Sequence, residues 1–221
     1  MAEKLLTAGT AKVIANGRRR TQAERSAGTR NMLLDAAIKC LDECGYGATT
    51  TISVAEKAGV SRGAMLHQFP SKADLMTFVV EAVFEDEVKQ YAKLLKGIDD
   101  PRERLLAYPE AVWKLQSRPA GVAVLEIFQG SRSDKVLAKK LKPVQIKIEK
   151  AAVTALESEF PSGVSVPLLD LIVGVARGLA ISQVIAPAGK RNPAPIQLFN
   201  QLLRLGMESH TLLPKASSGK K

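Results

Sequence analysis

Apolar residues along this chain recur every three to four positions, the period of an α-helix with one buried face, and almost nothing alternates as a strand would. The first sustained run begins at Thr29, where Leu33, Leu34, Ala37, Ile38 and Leu41 share a face. Gly45 or Gly47 is its expected stop, since glycine takes a left-handed conformation without steric penalty. The Thr49-Thr50-Thr51 cluster offers caps for a second helix, with Ser53 and Glu56 as a competing capping box. Gly59 ends that helix, Ser61 opens a third, Pro70 breaks it, and Ser71 with Asp74 three residues later opens a fourth. Helices are predicted at about 71–96, 101–117, 121–131, 135–158, 166–186 and 195–213, punctuated by Pro101, Pro119, Pro161, Pro193 and Pro195. Pro143 is a candidate kink or break in the segment 135–158. The fold class is therefore all-α.

Two ends lack this period. Residues 1–25 hold six basic residues against two acidic ones and read as a flexible arm, passive or lying along phosphates. Residues 214–221 are a polar tail. Between them the chain divides into a small N-terminal module, 26–75, and a larger helical body, 76–213.

Composition is that of a globular protein, 46% hydrophobic and 24% charged, but 32 Lys and Arg against 22 Asp and Glu leave a net charge of +10. Such an excess favours polyanions without choosing among DNA, RNA and an acidic membrane surface. No charge-free run of 18 or more apolar residues and no apolar signal core occur, so a cytoplasmic location with no membrane contact is expected. Cys40 and Cys44 stand four apart, too few for a closed zinc site, and read as reduced packing residues. No metal or cofactor is expected.

The segment from Thr51 to Phe69 carries the chemistry. Two helices cross steeply only if the contact residue on the first is small, which suits Ala55. The turn needs a residue tolerant of positive φ four places later, which is Gly59. Ile52, Val54, Ala58 and Val60 supply an apolar seam. On a wheel of the next helix, Met65 and Phe69 face the core, with Leu66 at the edge of that stripe. Gly63, Ala64, His67 and Gln68 fall on the other side. Gly63 and Ala64 would let the backbone sit deep in a major groove, with Ala64 in reach of a thymine methyl. Arg62 projects toward the core side, but its long side chain can carry the charge outward to guanine or phosphate. His67 stands at a position suited to a phosphate.

The run Ala55-Glu-Lys-Ala-Gly-Val-Ser-Arg-Gly-Ala-Met-Leu-His-Gln-Phe-Pro-Ser-Lys-Ala-Asp-Leu75 resembles the N-terminal domain of the TetR family of bacterial regulators, over about residues 29–80. The resemblance implies that Thr50 or Thr51 starts the second helix, that Ser61 to His67 is the recognition helix, and that Lys72 meets a phosphate. A lysine in a helix's first turn opposes the macrodipole, so an external anion there would help. The family often has tyrosine where Leu66 stands, and leucine cannot bond a phosphate, which places more weight on His67.

The resemblance also implies a C-terminal domain that binds a small-molecule effector and dimerises. Segments 166–186 and 195–213 are the expected homodimer surface, with Gly174 and Gly178 four apart permitting close helix approach. Phe84, Tyr91, Tyr108, Trp113 and Phe128 are candidates for a ligand pocket, although such aromatics are more often ordinary core. Glu85-Asp86-Glu87 point in different directions on a helix and read as a solvated acidic patch. The function expected is a sequence-specific DNA-binding regulator, a repressor relieved by its effector and reading a two-fold related operator on double-stranded DNA. A nonspecific or architectural nucleic-acid binder is the alternative. A helical enzyme is a weaker one, since no nucleophile–base pairing, phosphate loop or metal cluster supplies a catalytic residue.

Overall fold

A computed structural model of the chain describes residues 21–159, 166–184 and 193–209. Most of the basic arm and the polar tail lie outside the described residues. The described chain holds nine α-helices: α1 (Gln22–Ala48), α2 (Thr51–Ala58), α3 (Arg62–Gln68), α4 (Lys72–Leu94), α5 (Pro101–Gln116), α6 (Pro119–Gly130), α7 (Lys135–Glu159), α8 (Val166–Val184) and α9 (Ala194–Glu208). No strand occurs among the described residues, in agreement with the all-α expectation.

Local chemistry sets most boundaries. α1 starts at Gln22, inside the segment read as arm, because Thr21 and Glu24 form a reciprocal capping box. Thr21 Oγ1 accepts from Glu24 N at 3.2 Å, and Thr21 N donates to Glu24 Oε2 at 2.7 Å. Gly45 breaks α1 with φ 71° and ψ 175°, so Tyr46 leaves the helix line in a direction that an L residue would reach only with strain. The cap of α2 is Thr50 paired with Ser53, not Ser53 with Glu56. Gly59 closes α2 in the left-handed region at φ 63°, and Val60 N donates back to Ala55 O at 2.9 Å. Ser61, Ser71 and Asp100 cap α3, α4 and α5 through their side-chain oxygens. α7 runs as one helix through Pro143, which is exposed, so of the kink or break that proline could cause, the break does not occur.

Two cores hold these helices. The first gathers Leu33, Ala37 and Leu41 of α1, Val54 and Ala55 of α2, Met65 of α3 and Leu75, Met76 and Val79 of α4. It continues into Ala123 and Ile127 of α6 and Leu137, Leu141 and Val144 of α7. No gap in this core marks residue 75: α4 crosses it, and α1 packs extensively on α6. The second core joins α5, α8 and α9 through Leu105, Val112, Trp113, Ile172, Ala176, Ile196 and Leu203. α8 is apolar and long enough to span a bilayer by composition, but Leu168, Leu169, Ile172, Ala176 and Ala180 are spent on packing within the protein. Cys40 is buried and Cys44 exposed, both as free thiols.

Candidate nucleic-acid interface

α2 and α3 form a helix-turn-helix braced by α1 and α4. On α3, Met65 and Phe69 are 1% and 3% exposed, which leaves Arg62, Gly63, Ala64, Leu66 and His67 on the open face. Arg62 is exposed, as its long side chain allows. A Cβ added to Gly63 would meet no heavy atom within 4 Å, so nothing inside the protein requires glycine there. Ser61 sits at the N-cap, accepting from Ala64 N at 3.2 Å, with its residue exposed. Thr50 is exposed and Thr51 half-buried.

Two expectations for this module are corrected. Ile52 is 49% exposed and is not part of the seam, because it lies on the face of α2 turned away from α1. Val54 and Ala55 are buried there, with Ala58 and Val60 packed against the core. Gln68 does not join the open face. Its Nε2 donates to Ser26 Oγ at 3.0 Å, tying the end of α3 to α1. Arg30 lies over the rings of Phe69 and Phe78, 4.7 and 4.3 Å from their centroids, and clamps α1 to the α3–α4 corner. Lys57 pairs with Glu43 across α1 and α2.

Lys72 opens α4 as expected, but its ammonium already has a partner. Nζ donates to Tyr46 O at 2.6 Å and sits 3.9 Å from the Tyr46 ring centroid. Burial draws its pKa below the usual lysine value, against the opposing pull of Asp134. Tyr46 is the centre of a latch between module and body. Its N–H donates to Glu126 Oε2 of α6 at 2.9 Å and its hydroxyl to Asp134 Oδ2, just before α7, at 2.7 Å. Burial first, then the Asp134 hydrogen bond, push the tyrosine's ionisation upward. Leu137 N–H and the Tyr46 hydroxyl hold Asp134 below the ordinary carboxylate range. Nearby, Asp74 accepts from Lys140 Nζ at 2.7 Å, again joining α4 to α7. None of these contacts is legible in the sequence: the partners lie about 80 residues apart, and only Gly45 signals a special conformation.

The candidate ligand aromatics divide: Tyr91, Tyr108 and Trp113 come together, whereas Phe84 and Phe128 stand apart from them. Tyr91 and Tyr108 stack with centroids 5.5 Å apart, and both pack with buried Trp113 in the second core. Phe128 packs on the first core, and Phe84 is half-buried in neither. A groove of about 400 Å³ between α5 and α9 is lined by Ile98, Leu106, Asn200 and Arg204, among others. Another of about 420 Å³ lies between the module and α7, floored by Arg30, Phe69 and Phe78. The five aromatics line neither groove. Of the acidic triplet, Glu85 is exposed and Asp86 meets Arg118 at 3.2 Å, but Glu87 is only 9% exposed and is no part of a solvated patch. No group of three or more His, Cys, Asp or Glu residues placed to hold a metal occurs among the described residues.

Residues 33–77 match the profile described as bacterial regulatory proteins, tetR family. An uncharacterized HTH-type transcriptional regulator of Mycobacterium tuberculosis is 26% identical over 193 residues, covering 85% of this chain and 99% of the relative. Among solved structures, a transcriptional regulator from Rhodococcus sp. Rha1 shares the fold with a TM-score of 0.64 at 19% identity, covering 84% of this chain and 99% of that one. A putative transcriptional regulator from Saccharomonospora viridis, in complex with choline, does so with a TM-score of 0.59 at 18% identity, covering 86% and 100%. A capped helix-turn-helix whose outer face is left free, within residues that match the tetR-family profile and on a body of matching helical architecture, makes this chain a DNA-binding transcriptional regulator whose DNA-binding domain is of the TetR type.

Proposed function

We propose that the protein is a repressor that reads a two-fold related operator as a homodimer and releases it when a small-molecule effector binds the body. The observation that carries this reading is the open face of α3, where Arg62, Gly63, Ala64 and His67 are exposed while Met65 and Phe69 anchor the helix. In this reading Gly63 and Ala64 admit the helix deep into a major groove, Arg62 reaches a guanine edge, and His67, Thr50, Thr51 and Ser61 bond phosphates. Lys72 presents what remains of its ammonium to a phosphate while holding Tyr46. Residues 21–75 act as the reading head and the helices beyond as the effector and dimer body, in the cytoplasm and without catalytic activity.

The dimer reading draws on apolar faces that the protomer leaves open. On α9, Leu198, Leu202 and Leu205 are each more than half exposed at one-turn spacing. On α8, Leu171, Gly174, Gly178 and Ile181 form one exposed stripe, and Cβ atoms added to either glycine would meet nothing within 4 Å. Faces of this kind on adjacent helices suit a two-fold four-helix contact. The choline complex of a fold neighbour supports a small-molecule effector.

The test is selection of duplexes from a random pool, followed by binding of Gly63→Leu. An added side chain at residue 63 has open space, so the fold should hold, while approach to a groove should be blocked. Wild type should prefer its selected duplex over unrelated ones by about 10³ or more. Equal affinity for all duplexes, or unaltered binding by Gly63→Leu, would sink the reading.

A further inference from the structure

Buried polar groups on α4 and α5 inside the body are left with unmet hydrogen-bonding capacity. Glu87 of α4 and Trp113 and Gln116 of α5 are 9%, 6% and 5% exposed. Gln116 Nε2 donates to Glu87 Oε1 at 3.3 Å, and the Gln116 amide also bonds Tyr91. Gln116 Oε1 and Trp113 Nε1, both fully buried, have no hydrogen-bond partner. Buried donors and acceptors in protein interiors nearly always find partners, so two unpartnered ones a single turn apart on α5, one of them on the amide that bonds a buried carboxyl, are unusual in an interior that serves stability alone.

The charges nearby do not neutralise Glu87. Arg118, at the junction of α5 and α6, is committed to Asp86, and Arg177 of α8 acts on Glu87 only through its field. Burial accordingly pushes the Glu87 carboxyl up to about 7, with Arg118 and Arg177 pulling down and Asp86 pushing up. Tyr91 and Tyr108 flank the group, their stacked rings half-buried, and Arg177 is exposed, so the cluster reaches the surface along this edge.

We propose that this cluster is the effector site and that its ligand is a primary or secondary organic amine, positively charged, which also carries a hydrogen-bond acceptor. This rests on the reading of the protein as an effector-relieved regulator and names the effector's chemistry. The ammonium N–H groups satisfy Gln116 Oε1 and neutralise Glu87. The ligand's acceptor takes the Trp113 N–H, and an apolar body lies along Tyr91 and Tyr108, whose rings favour a cation. A quaternary ammonium offers no N–H to Gln116, and a carboxylate ligand would set a second negative charge beside Glu87 and Asp86. A divalent metal would find one free carboxylate.

Trp113 is the only tryptophan of the chain, so its emission reports on the site directly. The full-length protein is titrated with a panel of primary amines from 3-aminopropan-1-ol to 2-amino-1-phenylethanol, with the N,N,N-trimethyl derivative of the latter, and with mandelate. At least one primary amine should shift Trp113 emission saturably at millimolar concentration or below, and more tightly than the trimethyl derivative or mandelate. These amines stay protonated between pH 6 and pH 8, so their affinity should rise by about tenfold across that interval as Glu87 ionises. Glu87→Gln should abolish the pH dependence and weaken binding, and Gln116→Met should weaken binding with the pH dependence kept. A saturable response to mandelate alone, lost in Gln116→Met, would leave the effector site standing and overturn the amine. An amine response identical in Glu87→Gln would overturn the role of the carboxylate. Silence from every probe, with no effect of any on the selected duplex, would overturn the site and count against effector relief as well.

Discussion

Removing one hydroxyl, by Tyr46→Phe, tests whether the latch couples the reading head to the body. The phenol donates to Asp134 Oδ2 at 2.7 Å, a charge-assisted bond between half-buried groups. Such a bond contributes about 1.5–3 kcal/mol when shielded, and with solvent reaching Asp134 about 1–2 kcal/mol is expected here. The ring itself is retained by phenylalanine. Its contacts with Lys72 and with Gly130, where an added Cβ would fall 2.2 Å from the ring, therefore survive, and the hydroxyl is isolated as the variable. For a chain of this length that loss lowers Tm by about 2–8 °C.

The assay is urea unfolding of a double-mutant cycle with Asp134→Asn. Asparagine preserves the acceptor that caps α7, since Asp134 Oδ1 takes the Val136 and Leu137 N–H groups at 3.0 and 2.9 Å. Where Oδ2 stood it places an NH2, which can only donate to the phenol oxygen in a neutral bond, so Tyr46→Phe should cost about half as much in that background, a coupling of about 0.5–1 kcal/mol. Because the folded state depresses the Asp134 pKa, its contribution is complete above the unfolded carboxyl's value and disappears as pH falls through the folded one. Wild type and Tyr46→Phe should therefore differ at pH 7 and converge only as pH falls below the ordinary carboxyl range. A difference below about 0.5 kcal/mol at pH 7, or equal costs in both backgrounds, would refute the reasoning.

Gly130→Ala should destabilise the protein by about 1–3 kcal/mol in the same unfolding assay, because its Cβ collides with the Tyr46 ring; a neutral result would mean that α6 and Tyr46 are not in close contact. Glu87 has the opposite pH signature to Asp134: the unfolded carboxyl loses its proton near 4.5 and the folded one near 7, so stability falls as pH rises between them. Glu87→Gln should remove up to about 3 kcal/mol of that fall, and a wild-type pH profile in the variant would exclude the buried carboxyl as its source. Leu202→Asp on the outer face of α9 should convert the proposed dimer to a monomer in sedimentation velocity with little change in helicity, since the residue is 58% exposed in the protomer; a persistent dimer would move the interface elsewhere, and a monomeric wild type would overturn the proposed dimer.

Much of this protein is determined within short windows of the chain. Caps at Ser61 and Ser71 and the left-handed Gly59 are set by residues within one turn of each other. So are the inward Met65 and Phe69, and these together place the helix-turn-helix and the open face of α3. Helical periodicity likewise located the later helices to within a few residues, because each needs only one apolar face to be read. What a single helix cannot encode is which neighbour covers which flank. Ile52 reads as seam until α1 is found on the other side of α2, and Gln68 reads as outward until Ser26 takes its amide. Glu87 sits in an acidic run and looks solvated, yet α5 closes over it, with Gln116 as its partner from 29 residues away. Tyr46 carries no local signal beyond the glycine before it; α6 and the start of α7 supply its partners. Tertiary structure thus decided the latch and the buried polar cluster. Their energies come from desolvation and from bonds between segments distant in sequence, neither of which leaves a periodic trace along the chain.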